Sequence, residues 1–579
     1  LNWDGVWQGR TATSDIGWSA EFAIPFRTIR FPAGQAQTWG VNFQRNIRRR
    51  NELAYWAPLP RQFDLFRVSL AGQLAGVEAP EGLWRTLQIT PYVVGEAVQP
   101  AGQGAREETT MLGDFGGDIK YGVTSGVALD LTVNTDFAQV EVDQQQINLD
   151  RFNLFFPEKR PFFLENAGAF TVANSGGAAF NDPSQTELFF SRRIGIAPDG
   201  HAIPIVGGAR LSGKVSDTVT VGLLNMQTAA SGGIASNNFG VARVRRDLPN
   251  RSSVGGLFVN RQATGELAGQ DDFNRTFGFD GRWGFGQNGI VSGFAARTET
   301  PGRVGEDHAY DVAVDYNAQA WRVRAGYMEM GDDFNPEVGF VRRRGFRRVD
   351  GGIFYTWRPD DFLKMQELRP HVTFNRFWSY DRGFIESSLV HMDNFWEFED
   401  SSVAITAWNV RKEAVVRSFP ISGVPVLPGS YDWNEASLSY TSDRSAPVNA
   451  GFRFQGSGFF GGTLRSYGPS LGVRYGETLN LLLNWSRNDI HLPAGDVVTN
   501  LVSTQVAWNF SPRVFAQGLL QYNDSDELWS VNLRFGWLQD ANTGLFLVYN
   551  ETEGLDDFIP GGAGRSVILK YSYLFDVLD

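Results

Sequence analysis

The last hundred residues of the chain alternate apolar and polar side chains in one short segment after another. In 529–537 every second residue is large and apolar, and small or polar residues lie between them. Successive strand residues point to opposite faces, so each segment has one apolar and one polar side. From residue 84 onward we count about 24 such segments (range about 22–26), joined as hairpins. The pattern predicts an all-β chain that closes into a large antiparallel transmembrane β-barrel.

The alternation also assigns the two faces of the predicted wall. Apolar parity places five aromatic residues against lipid or its interface: Trp485, Trp508, Trp529, Trp537 and Tyr573. Opposite parity predicts that the following residues line the lumen: Asp130, Asn134, Asp311, Asp315, Asn532 and Arg534. A polar lumen wall is required in any such barrel, so these residues do not identify a solute.

Composition excludes several classes of protein. No run of 18 apolar residues occurs, so no transmembrane helix is expected. A net charge of −12 argues against binding nucleic acid. The five histidines show neither catalytic nor metal-ligand spacing, so we expect no enzyme activity, no metal centre and no cofactor. Acidic stretches at 331–335, 524–527 and 554–557 leave loop-bound Ca²⁺ open as an alternative to plain surface acidity.

The connections between predicted strands alternate in length. Tight ones include 216–218 and 286–289, whereas 264–274, 332–345 and 416–429 are long. Single-chain barrels of the outer membrane have short periplasmic turns and long extracellular loops. We therefore expect an outer-membrane protein whose N-terminal domain and C-terminus share the periplasmic side.

Three units are expected along the chain. Residues 1–78 read as part of a periplasmic β-sandwich, 79–83 as a linker and 84–579 as the barrel. Aromatic faces suit sugar rings, so Trp18, Trp39 and Trp56 are candidates for ligand stacking. The alternative is that these Trp residues form the core of a small sandwich.

A long interruption at 144–203 separates two groups of predicted strands. Barrels of this size enclose a lumen wide enough to need filling. The interruption carries paired Phe residues that need burial and charged residues that suit a polar wall. We predict a lumenal plug or gate, with a cap folded over the rim as the alternative. The candidate residues are Phe155, Phe156, Glu158, Lys159, Arg160, Phe162, Phe163, Glu165, Arg192 and Arg193.

Two motifs resemble a known family. The motifs are Phe-Phe-Pro-Glu-Lys-Arg-Pro-Phe-Phe-Leu-Glu at 155–165 and Phe-Phe-Ser-Arg-Arg-Ile-Gly at 189–195. They resemble a bacterial outer-membrane β-barrel family of uncharacterised function, whose members carry an N-terminal module similar to family-9 carbohydrate-binding domains. Residues 1–78, with Gly-Trp-Ser-Ala-Glu-Phe at 17–22, resemble the second half of that module. The resemblance implies architecture and no specific activity.

The function expected from the sequence is a gated or plugged outer-membrane pore for transport. A non-conducting scaffold that binds through its loops and periplasmic module is one alternative, and an outer-membrane hydrolase is another. The expected surroundings are the lipid bilayer and lipopolysaccharide, with a polysaccharide or an envelope protein as further partners. The sequence does not identify the solute or the oligomeric state.

Overall fold

The computed structural model describes most of the chain. The described residues are 7–29, 31, 36–47, 52–78, 86–100, 108–135, 143–172, 185–197, 200–525, 527–540, 543–553 and 564–578. The predicted linker at 79–83 lies outside them.

Within the described residues, 24 antiparallel strands pair and close into a barrel. The first strand pairs with the last one, and the short segment Phe575–Asp576 continues that last strand along the same neighbour. The strands are Leu87–Pro100, Thr110–Thr124, Val127–Thr135, Ile205–Lys214, Val219–Thr228, Ser236–Leu248, Ser252–Thr264, Phe273–Phe285, Gly289–Glu299, His308–Asn317, Trp321–Met330, Phe346–Tyr355, Met365–Ser379, Ile385–Phe398, Val403–Val415, Gly429–Thr441, Val448–Phe459, Gly462–Tyr475, Leu479–Leu492, Gly495–Ser511, Val514–Asn523, Leu528–Asp540, Thr543–Glu553 and Gly564–Ser572.

The strand count and the all-antiparallel order predicted from the sequence are confirmed. The third strand, expected at 126–143, is described over Val127–Thr135; residues 136–142 lie outside the described part of the chain, and Asp143 is not in a strand. Two connections at the long-loop rim are also short, since Phe459 is followed at 462 by the next strand and Leu492 by one at 495. The loop at 416–428 packs over these hairpins with its own pair of short strands, Phe419–Ile421 and Val424–Val426.

The exterior of the barrel is apolar, as the alternation predicts. All five aromatic residues assigned to lipid are exposed, among them Trp529 at 55%. Asn532, which lies on the opposite face of the strand that carries Trp529 and Trp537, is buried. A closed barrel satisfies its backbone hydrogen bonds within itself and can therefore cross lipid. Single-chain barrels with an even strand number and this apolar exterior belong to bacterial outer membranes.

The helices are short. An α-helical turn spans Pro161–Leu164. The 3₁₀ turns are Phe26–Thr28, Val68–Leu70, Ala167–Ala169 and Ser191–Arg193. Within the described residues, no helix has the length and apolar character of a membrane span.

The N-terminal region forms three antiparallel strand pairs. These are Gln8–Ser14 with Gly17–Ala23, Gln37–Val41 with Gly72–Val77, and Gln44–Ile47 with Glu52–Tyr55. Every side chain described between 7 and 78 keeps some solvent exposure, so the described residues of this region do not form a fully buried core.

The N-terminal region contacts the rim of the barrel that carries the tight turns. Arg67 donates to the carbonyl of Gln287 over 2.8 Å, and Asn317 donates to the carbonyl of Gln62 over 3.3 Å. The C-terminal segment also returns to this rim, because the amide of Val577 donates to the carbonyl of Leu87. The N-terminal region and the C-terminus therefore lie at the same end of the barrel.

Candidate functional site

The insertion at 144–203 enters the barrel and is held by an arginine of the wall. Arg210 lies on strand Ile205–Lys214, is 2% exposed, and pairs with Asp130 on the neighbouring strand over 2.8 Å. Its Nη1 donates to the backbone carbonyls of Phe162 and Glu165. Lys120, one strand further along, forms an ion pair with the Glu165 carboxylate. The insertion therefore presents carbonyls and a carboxylate to a cationic stretch of wall.

A compact polar knot orders the middle of the insertion. Glu158 accepts hydrogen bonds from the Arg160 guanidinium at 2.8 and 2.7 Å, and from the Ser191 hydroxyl at 2.7 Å. Arg160 also donates to the carbonyl of Ile194 over 2.7 Å. Burial acts to raise the pKa of Glu158, but the contacts with Arg160 outweigh it and hold that pKa below its ordinary value. The two halves of the insertion, which carry the two family motifs, are joined by this knot.

An apolar cluster lies beneath the knot. Phe163, Leu188 and Ile194 from the insertion are buried against Met226 and Phe294 of the wall. Such a cluster buries the paired Phe residues that the sequence placed in this segment. Phe162 and Phe189 pack against its margin.

The long loop at 331–345 also folds inward onto the insertion, which the sequence did not predict. Phe155, Phe190 and Phe340 form an aromatic group with ring centroids 4.9–6.0 Å apart. Phe334 and Val338 of the same loop are almost fully buried. The apolar residues of this loop could have indicated the contact, because a loop that lies in solvent seldom requires apolar side chains.

A short strand pair joins the loop to the insertion. Thr186 pairs with Val341, and Glu187 pairs with Phe340. Burial raises the pKa of Glu187 to about 7, against a hydrogen bond from Gln185 that lowers it. This contact therefore carries a carboxyl group that titrates near neutral pH.

The start of the insertion reaches other strands of the wall. Arg151 pairs with Glu386 at 3.1 Å and with Glu413 at 3.2 Å. Arg343, from the long loop, also pairs with Glu386, over 2.9 Å. Gln145 donates to the hydroxyl of Ser530 over 2.9 Å on strand Leu528–Asp540. The described parts of the insertion therefore contact strands far apart around the barrel.

The remaining candidate residues of the insertion form contacts at and near Asp143 and with the long loop. Lys159 lies 3.4 Å from its carboxylate, and Arg192 forms an ion pair with it. The Arg192 guanidinium lies 5.8 Å from the ring of Phe156. Arg193 donates to the carbonyl of Gly339 over 3.3 Å, and burial lowers its pKa.

The residues predicted to line the lumen form polar contacts along the wall. Asp311 lies 3.6 Å from Arg348, and Asp315 lies 3.5 Å from Arg324. The other contacts are those of Asp130 with Arg210, Asn134 with the carbonyl of Phe115, Asn532 with Asn550, and Arg534 with Gln517.

A chamber of about 700 Å³ remains beside the insertion, on strands 429–441 to 528–540. Its cations are Arg444, Arg474, Arg534 and Lys159. Among the described residues, no carboxylate lines it. Gln144 and Lys159 come from the insertion, which therefore forms one side of the chamber. The amide residues of its lining are Gln144, Asn449, Asn480, Asn484, Gln505, Gln517 and Asn532.

The three Trp residues proposed for sugar stacking have different surroundings. Trp39 is half-buried and packs on Phe26 and Phe31, with ring centroids 5.8 and 5.5 Å away. Trp18 and Trp56 are 58% and 62% exposed. The sugar-binding role of these residues stays a prediction.

One of the acidic loops brings carboxylates together. Asp332 lies with Glu306 and Asp381, one oxygen from each being within 4.8 Å of the others. Burial, followed by hydrogen bonding and repulsion from Asp381, raises the pKa of Asp332 to about 6. Residues 554–557 lie outside the described residues, and Asp524 instead accepts a hydrogen bond from Asn500 over 2.6 Å.

Part of the chain matches one known protein family. Residues 85–242 match a family described as a domain of unknown function, DUF5916. This match contains both insertion motifs on which the resemblance to an uncharacterised barrel family rests. No protein of curated function matches the chain. The likeness of residues 1–78 to a carbohydrate-binding module stays a prediction.

Solved structures show a distant likeness over most of the barrel. The ferric enterobactin receptor of Pseudomonas aeruginosa is 7% identical, with a TM-score of 0.36, over 84% of this chain and 81% of the receptor. The siderophore receptor PirA of Acinetobacter baumannii is 9% identical, with a TM-score of 0.38, over 87% of this chain and 83% of PirA. The assignment of the fold therefore rests on the strand pairing of this protein and not on its likeness to these structures.

Proposed function

We propose that this protein is a gated transport barrel of the outer membrane, in which the insertion at 144–203 closes the lumen. The observation that carries the proposal is the hold of Arg210 on the backbone of the insertion, matched far around the wall by Arg151 with Glu386 and Glu413. Polar anchors of this kind can release into water, whereas a permanently closed barrel could be filled by apolar packing alone.

The chamber indicates the class of solute. Guanidinium and amide groups without carboxylates favour a hydrophilic anion, which guanidinium groups bind through charge-assisted hydrogen bonds. The lining residues Arg444, Arg474 and Asn480 adjoin tight turns of the barrel. In this proposal those turns and the N-terminal region lie in the periplasm, so the chamber opens toward the periplasmic side.

Conductance in planar bilayers tests the gate. Replacing Arg151 with Ala removes the anchor to Glu386 and Glu413, and we expect more frequent opening than in the wild type. Deletion of 150–195 should give a large permanent conductance and sensitise cells to vancomycin. The matched control is Arg246→Ala, which removes an exposed arginine of the turn rim. A deletion variant that folds and stays closed would contradict the proposal.

A non-conducting scaffold is the second candidate, favoured by the apolar cluster around Phe163, Leu188 and Ile194. Opening would expose those side chains at a cost of about 1.5–3 kcal/mol each. The chain contains no cysteine, so a pair introduced at Gln145 and Ser530 can be bridged by a short thiol cross-linker. Cross-linking should lower the conductance of a gated barrel, whereas the conductance of a static scaffold should not change.

A further inference from the structure

Two histidines and an aspartate converge on the lumen wall, away from the insertion. His371 lies opposite Asp393 in the pairing of strands Met365–Ser379 and Ile385–Phe398, and Thr373 lies opposite His391. The Nε2 of His391 is 3.6 Å from Asp393 Oδ2, and the Nδ1 of His371 is 3.9 Å from Asp393 Oδ1. One ligand atom from each of the three lies within 4.8 Å of the others.

A hydrogen-bond relay selects the tautomer of His391. Asn409 Nδ2 donates to Glu435 Oε1 over 2.7 Å, because a carboxylate only accepts. This orients the amide so that Asn409 Oδ1 lies 2.6 Å from His391 Nδ1 and accepts a hydrogen bond from the N–H group there. The neutral ring then carries a lone pair on Nε2, the atom that faces Asp393. Metal-binding imidazoles are oriented in the same way, by a hydrogen bond from the ring nitrogen that does not bind the metal.

The other two groups are also positioned. The ring of His371 stacks on Phe354, with centroids 4.6 Å apart and planes 19° apart, and its Nδ1 also lies 3.4 Å from the carbonyl of Arg369. Asp393 Oδ1 is buried and accepts no hydrogen bond within the described residues. Arg369 is the arginine whose charge acts on Asp393, and its guanidinium is paired with Glu367 at 3.2 Å. A lone pair and a carboxylate that face each other repel unless a proton or a metal ion lies between them.

We propose that His371, His391 and Asp393 bind a divalent transition-metal ion on the lumen wall. Two imidazole nitrogens and one carboxylate oxygen are ligands that Zn²⁺ and its neighbours in the first row accept. The three side chains are 18%, 25% and 11% exposed, so an ion can reach them from the lumen. Three protein ligands leave a coordination position open to water or to a solute in the barrel.

The sequence carries a partial signal for this site. His391 and Asp393 are two residues apart in one strand, which places them on the same face. His371 joins them through strand pairing, and Asn409 and Glu435 come from two further strands. The expectation of no metal ligation rested on the spacing of histidines along the chain. Such spacing does not reveal residues that strand pairing brings together.

Zn²⁺ titration of the purified full chain in detergent, followed by calorimetry, tests the proposal. We expect one Zn²⁺ per chain. His371→Ala and His391→Ala should each abolish saturable binding, and Asn409→Ala should weaken it about 10- to 100-fold. The matched control is His491→Ala, which removes a histidine paired with the exposed Asp496. Co²⁺ absorption bands that disappear in His391→Ala would identify imidazole ligation directly.

Folding is checked separately, by the heat-dependent migration of the barrel in gels, and His391→Gln serves as a variant of nearly conserved volume. Wild-type protein that binds no Zn²⁺, or binds it as tightly after both His371→Ala and His391→Ala, would overturn the proposal. Neither result depends on whether the barrel conducts.

Discussion

Arg210 donates a hydrogen bond from Nη1 to the backbone carbonyl of Glu165 over 2.7 Å, and so connects the barrel wall to the insertion within it. The same guanidinium is paired with Asp130. One buried side chain therefore links the stability of the barrel to the position of the insertion.

Replacement of Arg210 with Met should affect both properties. Asp130 keeps Lys120 only at 4.0 Å, so we expect a loss of about 3 kcal/mol in the free energy of unfolding. The insertion also loses a wall contact, and basal conductance should rise. Refolding in detergent and bilayer recording measure the two effects, with Arg246→Ala as the control. Unchanged stability would mean that Arg210 is not an anchor.

Glu187 should make opening depend on pH. Its raised pKa, about 7, means that the closed arrangement favours the protonated carboxyl. The stabilisation of that arrangement is fully present below the ordinary pKa of about 4.3 and is lost as the pH rises to about 7. Conductance should therefore be higher at pH 8 than at pH 5. Glu187→Gln should reduce this difference, whereas Glu266→Gln, in an exposed loop, should retain it in full.

Leu533 tests the assignment of the two faces. It is 44% exposed and lies at the middle of its strand on the apolar side. Leu533→Arg should cost about 2–4 kcal/mol in a refolding assay, because arginine is most costly near the bilayer midplane. Phe510→Arg, at the rim, should cost about 0–1 kcal/mol. Equal costs would contradict the assigned depth.

Cysteine labelling of intact cells tests the topology. Val304, in the loop at 300–307 of the long-loop rim, is 90% exposed. A membrane-impermeant maleimide should label Val304→Cys and spare Glu477→Cys, which lies in a tight turn at the opposite rim. The reverse labelling would invert the orientation of the barrel.

The chamber should make the open pore prefer anions. With 150–195 deleted, a salt gradient should give a reversal potential of anion selectivity. Arg474→Gln combined with Arg534→Gln should move that potential toward zero, since both guanidinium groups line the chamber. Arg246→Gln should leave it unchanged. Cation selectivity of the parent pore would contradict the proposed class of solute.

The sequence by itself determined the barrel, its strand number and its two faces. Alternation is a local property: Trp529, Val531 and Leu533 share a face because every strand residue inverts the direction of its predecessor. Apolar exteriors and polar interiors follow from that period without any knowledge of which strands pair.

Tertiary structure alone decided which polar residues meet. Arg210 and Glu165 are 45 residues apart, His371 and Asp393 come together through strand register, and Phe340 reaches Phe155 from a distant loop. Spacing along one chain does not encode these distances, because barrel closure and the path of the insertion set them. The sequence therefore located the insertion and its residue types, whereas the fold chose their partners.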